Sequence, residues 1–598
     1  MGDLVLQWVQ QQIAFNTSAY DYTSFTKSIA VDSSGNVYVA YYTNGGTVSG
    51  GTNNGEYDIV VFKLSGTDGS LIWTQQQTAF NTSSYDGDPS ITVDGSGNVY
   101  VAYYTQGGTV SGGTNNGGSS NDIVVFKLGT NGNLLWTGQQ TAFNTNQSDL
   151  FPSIAVDSSG NVYVAYNTIN GTVSGGTNNG SNDIVVFKLD GTNGNLMWTQ
   201  QQTVFNTSSD DVVTSIAVDG LGNVYIAYWT DGGTVSGGTN NGGTRDIVVF
   251  KLDEMNGNLL WTQQQTAFNT SQYDMFPSIA VDGSSNVYVA YLTGGTVSGG
   301  TNNGFSDIVV FKLDGTNGNL LWIGQQIAFN TSYGDVFPSI AVDGSGNVYV
   351  TYYTEGGTVS GGTNNGNNYG GSRDIVVFKL SGTNGNLLWT QQQTVFNTST
   401  NDFNPSIAVD GSGNVYVTYY TNGGTVSGGT NNANINGPSL DIVVFKLGLI
   451  PFIICVFPGA LVFTTNGLKK IEDLRAGDII FDEFDQQVEL INNVECHPSS
   501  KGYTTFYQNC FALNFPSDNL MITDGHPIKL ANSSREIPVE RLTNWNDIIH
   551  REGSIPETYS LVTKERIFVP INNIPVCTWS ESKFSRYAKK EKLEYTLL

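Results

Sequence analysis

Short apolar runs separated by polar turn residues repeat along the first 450 residues. Each repeat of 61–67 residues contains four runs, typified by Ser-Ile-Ala-Val, Val-Tyr-Val-Ala-Tyr, Ile-Val-Val-Phe-Lys-Leu and Leu-Leu-Trp-Thr-Gln-Gln. β-Branched and aromatic residues bounded by Gly, Asn, Ser and Asp are typical of strands joined by turns. The third run, Asp-Ile-Val-Val-Phe-Lys-Leu, starts at Asp58, Asp122, Asp183, Asp246, Asp307, Asp374 and Asp441. The pattern therefore predicts seven units of four strands each.

Seven four-stranded antiparallel units predict an all-β protein built on a β-propeller. The chain starts in a run of the fourth type, Leu4–Gln12, and its last repeat stops after the third run, at Leu447. We therefore expect the N-terminal strand to complete the last blade and close the ring. A β-solenoid is the alternative, although its units are usually shorter.

The predicted strand order separates short turns from long loops. Turns between the first and second strands, and between the third and fourth, share one face. The other face receives the loops that contain Gly-Gly-Thr-Val-Ser-Gly-Gly-Thr-Asn-Asn-Gly and Phe-Asn-Thr. In the Phe-Asn-Thr loop an Asp follows the Asn by five residues in every unit, as in Asn81 and Asp86. These polar side chains are interpreted as caps of the loop backbone, with a metal or sugar site as the alternative. If this face binds a partner, we expect that partner to be a protein or a carbohydrate, because polar loops on a rigid scaffold are typical of binding sites.

Composition narrows the classes of function. The chain carries a net charge of −26, and residues 1–450 hold 10 basic and 32 acidic side chains, which argues against a nucleic-acid partner. Residues 1–450 contain no His or Cys, and the units are nearly identical, so a catalytic site is not expected there. The sequence therefore gives little support to the hypothesis that the propeller itself is an enzyme. No secretion signal, membrane span, metal or cofactor is predicted, and the compartment stays open.

The repeat unit resembles a known family. Asp-x-x-Gly-Asn-Val-Tyr-Val, then Asp-Ile-Val-Val-Phe-Lys-Leu, then Gly-Asn-Leu-Leu-Trp is similar to the bacterial β-propeller repeats called SBBP repeats, over residues 1–447. The resemblance implies a propeller and little about function, because propellers have many unrelated roles.

The composition changes after Leu447, and all four Cys and three His lie between Cys455 and Cys577. The new segment opens with Cys-x-x-x-Gly and then Gly-x-x-Lys-Ile-Glu-x-Leu-x-x-Gly-Asp, and a later block reads Thr523-x-x-His526-Pro527. In this order the two blocks resemble the Hint domain of Hedgehog C-terminal regions and inteins. The predicted organisation is a propeller at 1–447, a linker at 448–454, a smaller all-β Hint-like domain at 455–579 and a charged tail at 580–598.

The resemblance implies an autoprocessing reaction. The Cys455 thiol would attack the Ile454 carbonyl in an N-to-S acyl shift, with His526 protonating the leaving amine and Thr523 polarising the scissile amide. Splicing is not expected, because Cys577-Thr578 stands where inteins have His-Asn. We therefore expect self-cleavage at Ile454–Cys455 that releases the propeller or transfers it to an unknown acceptor. The alternative is a structural or ligand-binding propeller with a degenerate Hint domain.

Overall fold

The computed structural model describes residues 4–242, 245–364, 372–432 and 439–449, and beyond them short strands with Asp473 and Leu474. It divides into two compact units, Leu4–Gly448 and Leu449–Leu598 with Met1–Asp3. Its described residues contain no α-helix.

The first unit is a seven-bladed β-propeller in which each blade is a four-stranded antiparallel sheet. Blade 1 has its first strand in two pieces, β2 and β3. From first to fourth strand, blade 1 contains β2 (Asp21–Tyr22) with β3 (Ile29–Val31), β4 (Val37–Asn44), β5 (Tyr57–Leu64) and β6 (Leu71–Gln75); blade 2 contains β7 (Asp86–Val93), β8 (Val99–Gln106), β9 (Asn121–Leu128) and β10 (Leu134–Gly138); and blade 3 contains β11 (Asp149–Val156), β12 (Val162–Ile169), β13 (Asn182–Leu189) and β14 (Leu196–Gln200). Blade 4 contains β15 (Asp211–Val218), β16 (Val224–Thr230), β17 (Asp246–Leu252) and β18 (Leu259–Gln263); blade 5 contains β19 (Asp274–Val281), β20 (Val287–Thr293), β21 (Asp307–Leu313) and β22 (Leu320–Gly324); and blade 6 contains β23 (Asp335–Val342), β24 (Val348–Glu355), β25 (Arg373–Leu380) and β26 (Leu387–Gln391). Blade 7 contains β27 (Asp402–Val409), β28 (Val415–Asn422), β29 (Leu440–Leu449) and, as its fourth strand, β1 (Leu4–Gln10).

The N-terminal strand closes the ring as predicted. β1 lies beside β29 and supplies the fourth strand of blade 7, so the first and last strands of the propeller belong to one sheet. This arrangement leaves no unpaired edge between the first and last repeats, which removes a site for aggregation.

The apolar core lies between neighbouring blades. One cluster joins Phe62 of blade 1 with Val444 of blade 7, and the other clusters join successive blades in the same way. In each repeat the Phe of the Phe-Asn-Thr loop stacks on the Phe of the third strand, as Phe80 does on Phe126 with ring centroids 4.4 Å apart. Seven such pairs fix the loops rigidly on the blades.

The second unit is described through the backbone of its strands. The strands are β30 (Leu461–Thr464), β31 (Gly467–Lys470), β32 (Ile479–Phe481), β33 (Gln487–Cys496), β34 (Gly502–Phe506), β35 (Leu520–Thr523), β36 (Pro527–Lys529), β37 (Glu536–Pro538), β38 (Ile548–Glu552), β39 (Thr558–Thr563), β40 (Phe568–Ile571), β41 (Ile574–Cys577), β42 (Trp579–Ser580) and β43 (Tyr595–Leu597). The pairings among them are antiparallel except for that of β39 with β42. The unit is thus all-β in its described part.

Candidate functional site: the mouth and cavity of the central channel

The Asn and Asp of the long-loop face bind the protein's own backbone. Asn81 donates to the Ile59 carbonyl at 2.9 Å and accepts from the Ile59 N–H at 2.7 Å, which continues the sheet beyond the end of β6. Asp86 accepts from the backbone N–H and the hydroxyl of Thr82. The predicted capping role is confirmed, and among the described residues no group of three or more His, Cys, Asp or Glu is placed to hold a metal ion.

These loop carboxyls are fully buried. Burial raises the pKa of Asp86 to about 7, and that of Asp402 to about 8, although hydrogen bonds from neighbouring Thr side chains oppose the shift. At six of the seven blade junctions a second Asp, such as Asp58, also has its pKa raised by burial, and its Oδ1 has no hydrogen-bond partner among the described residues. Burial therefore favours the protonated, uncharged form of both carboxyls at such a junction.

The repeats vary in the loop between the second and third strands, and within the strands they vary most at one level. Between an invariant Asp–Thr pair and the Ser-Ile-Ala-Val run, three positions vary, two on the first strand and one opposite on the second. The cross-strand pairs at this level are Tyr22 with Tyr42, Gly87 with Tyr104, Leu150 with Asn167, Val212 with Trp229, Met275 with Leu292, Val336 with Tyr353 and Phe403 with Tyr420. We call this level, at the long-loop end of the first strands, the channel mouth.

A bulge re-aims the next side chain at the mouth. In six blades the residue after the varying first-strand position has a positive φ of 46–54°, and the register shifts there. These residues are Asp88, Phe151, Val213, Phe276, Phe337 and Asn404. A positive φ is costly for a β-branched or aromatic residue, and such strain is concentrated at functional sites.

Aromatic side chains form a closed circuit at the mouth, with successive ring centroids 5.0–6.5 Å apart. These mouth aromatics are Tyr22, Tyr42, Tyr85, Tyr104, Phe151, Phe25, Phe337, Tyr353, Phe403 and Tyr420. All except Tyr353 are half-buried, so their rings have exposed surface. Asp88 adds a carboxyl whose pKa burial raises to about 6, while Ser24 and Tyr104 hydrogen-bond to it.

Blade 1 departs from the other blades through an insertion. Seven positions separate Asp21 from Ser28, whereas four separate the matching Asp and Ser of every other blade. The insertion breaks the first strand and sends Phe25 across the channel, where its ring lies 5.0 Å from Phe151 and 6.3 Å from Phe337. Blade 1 is therefore a distinct unit among nearly identical repeats, and the unequal Asp-to-Ser spacing is its signal in the sequence.

Beneath Phe25 lies a central cavity of about 290 Å³, lined by the first strands of all seven blades. Lys27, the last residue of the insertion, lines it and exposes its side chain to it. Because strands surround this ammonium, burial lowers the pKa of Lys27 below 10.5. Its backbone carbonyl accepts from Ile91 at 2.9 Å, where the other six blade junctions use a Ser hydroxyl.

The sequence-predicted autoprocessing residues are not brought together by the described structure. Ile454, Cys455 and His526 lie outside the described residues. Thr523 ends β35 opposite Tyr503, and its side chain is not described. Their roles stay predictions.

Comparisons with known proteins support the repeat. The SBBP beta-propeller repeat model matches residues 7–46, which run from within β1 to two residues past the end of β4. No curated protein matches the chain. Among the described residues, no helix is long and apolar enough to cross a membrane.

Solved structures similar to the chain include proteins with unrelated activities. A protein of unknown function from Dyadobacter fermentans is 11% identical, with 75% of this chain and 100% of that chain covered and a TM-score of 0.36. A PL25 ulvan lyase is 12% identical (73% and 95% covered, TM-score 0.42), and an α-L-arabinofuranosidase of Fusarium graminearum is 8% identical (60% and 91% covered, TM-score 0.35). At these levels no activity is transferred to this chain.

Proposed function

We propose that the propeller is a binding module that holds a carbohydrate at the channel mouth. The observation that carries this proposal is the closed circuit of half-buried aromatic side chains at the mouth, at the level where the strand positions differ most from blade to blade. Ligand sites typically lie in concave, aromatic-lined places on a rigid scaffold, and the mouth is such a place.

The chemistry of the mouth suits a sugar. The C–H faces of a sugar ring pack on aromatic faces, and its hydroxyls can exchange hydrogen bonds with phenol groups such as those of Tyr22 and Tyr420. The half-buried rings are held by neighbouring rings, with Tyr22 stacked on Tyr42 at 5.2 Å and edge-on to Tyr420 at 5.6 Å. Rings that are already ordered lose little conformational entropy when a ligand binds.

The test uses the full chain on an array of immobilised glycans, followed by titration of any glycan that binds. Tyr22→Ala and Tyr420→Ala should each weaken binding by roughly fivefold, because each removes one stacking surface of about 1 kcal/mol. Met255→Ala is the matched control, since Met255 is 83% exposed in the turn between the third and fourth strands of blade 4. Glycan binding that survives both Tyr variants would exclude the mouth as the site.

We also propose that the segment after the propeller cleaves the chain at Ile454–Cys455 by an N-to-S acyl shift. Support comes from the two sequence blocks described above and from the change of composition after Leu447. In this proposal Cys455 is the nucleophile, His526 protonates the leaving amine, and Thr523 polarises the amide. Hydrolysis or attack by an acceptor would then release or transfer the binding module.

Cleavage is tested by intact-mass measurement of the purified chain with and without added thiol. The parent should yield a fragment that ends at Ile454 and one that begins at Cys455, faster with thiol, and Cys455→Ala should yield neither. Cys510→Ala is the matched control because it removes a thiol from the same unit without touching the proposed junction. A parent chain that stays intact in thiol would refute self-cleavage while leaving the binding proposal standing.

A further inference from the structure

We propose that the central cavity is a second binding site, selective for a small ligand with one oxyanion group, a carboxylate or a sulfate, held by Lys27. The cavity lies inside the ring of first strands and shares Phe25 and Phe337 with the mouth, but Lys27 and the Ser hydroxyls that define this second site are not among the mouth aromatics. Its argument does not depend on whether the mouth binds a sugar.

The charge around the cavity points to an anion. The cavity lining includes Lys27 and contains no Asp or Glu, in a chain with twice as many acidic as basic residues. Among the described residues, no hydrogen bond or ion pair reaches the Lys27 ammonium. The Lys27 side chain is exposed to the cavity and has no counter-charge there, so an anion that enters the cavity would pair with it.

The other basic residues of the propeller have structural partners. Seven of the ten in residues 1–450 are the third-strand lysines, each of which lies over a Tyr ring, as Lys63 does over Tyr38 at 4.8 Å. Arg245 lies over Trp229 at 4.7 Å, and Arg373 pairs with Glu355 at 2.9 Å. Among the described basic residues of the propeller, Lys27 is therefore the one whose charged group contacts no ring, carboxylate or hydrogen-bond acceptor of the fold.

Hydroxyl donors complete the site. Ser153, Ser215, Ser278 and Ser339 line the cavity, and each accepts the backbone N–H of an Ile in the next blade at 3.1–3.2 Å. A hydroxyl that accepts one hydrogen bond still has its own hydrogen to donate, and these four have no acceptor among the described residues. One ammonium and several O–H donors that line the same cavity match the needs of an oxyanion.

The size and shape of the cavity restrict the ligand. At about 290 Å³ it lies at the lower end of the range for small-molecule pockets. Phe25 crosses its long-loop end, and a ring of half-buried valines, one from each blade, lines the end beside the short turns. A single sugar acid or inorganic anion fits these limits better than a polymer.

The test is isothermal titration calorimetry of the full chain at constant ionic strength. Glucuronate and sulfate are the probes, and glucose is the uncharged match of glucuronate. We expect at least one anion to bind at one site per chain and glucose not to bind. Tighter binding of glucuronate would identify a carboxylate ligand, and tighter binding of sulfate would identify a sulfate. Both results support the anion site.

Variants identify the residue responsible. Lys27→Met should weaken the bound anion by roughly tenfold to a hundredfold, because it removes a charge-assisted hydrogen bond. Lys27→Arg should retain most of the affinity. Arg373→Gln removes a positive charge outside the cavity and should change nothing. Absence of anion binding in the parent, equal binding by Lys27→Met, or loss of binding with Arg373→Gln would each overturn the proposal.

Discussion

Replacing Asn206 with Ala should loosen the junction between blades 3 and 4. The Asn206 side chain donates to the Ile184 carbonyl at 3.0 Å and accepts from the Ile184 N–H at 2.7 Å. Asn206 is 1% exposed and Ile184 is fully buried, so water does not readily replace the lost partner. Each unsatisfied backbone group costs about 1–3 kcal/mol, which gives a total of about 2–6 kcal/mol.

Hydrogen exchange followed by mass spectrometry measures this change locally. A cost of about 2 kcal/mol, the lower end of the range, should speed exchange of the Ile184 amide about thirtyfold. The matching peptide of blade 5, with Ile308 bonded to Asn330 in the same way, is an internal control in the same sample. Asn178→Ala is the control variant, because Asn178 donates one partly buried bond to Gly171. Unchanged protection at Ile184 would refute the assigned role of the Asn.

Two further predictions concern a buried carboxyl and access to the cavity. Burial raises the pKa of Asp149 from 3.8 to about 7, so the folded state keeps a proton that the unfolded chain loses; this carboxyl should lower the melting temperature as pH rises from about 4 to 7, and Asp149→Asn should flatten that dependence. Phe25→Ala should open the mouth end of the cavity and speed acylation of Lys27 by an amine-reactive reagent, with Lys63 labelling as the unchanged reference; equal Lys27 rates would refute the blocking role of Phe25.

The propeller could be predicted from the sequence because its evidence is repeated seven times. Alternating Val, Tyr and Phe runs define the strands, and the position of Trp8 ahead of the first complete repeat indicates closure by the N-terminal strand. The structure confirms both, since β1 completes blade 7. Local patterns were sufficient here because each strand pairs mainly with its neighbours in sequence.

The channel mouth could not be predicted in the same way. A bulge with positive φ at Phe151, Phe276 and Phe337 reverses the inward or outward direction that simple alternation predicts. The contacts of Phe25 also join residues more than one hundred positions apart, which only ring closure brings together. The unequal spacing in blade 1 was visible in the sequence, but the sequence did not show that the extra residues lie beside the central axis of the ring.

Geometry explains why a single insertion can create a site in a symmetric ring. The first strands of all seven blades converge on the axis, so one side chain there reaches several blades at once; Phe25 contacts aromatic rings of blades 3, 5 and 6. An insertion in an outer strand would touch one neighbour at most. Seven equivalent units can therefore remain nearly identical for stability, while a change of three residues near the axis gives the whole ring one distinct position. Lys27 and Phe25 both come from that change, so one short segment supplies both the positive charge that lines the cavity and the ring that crosses its long-loop end.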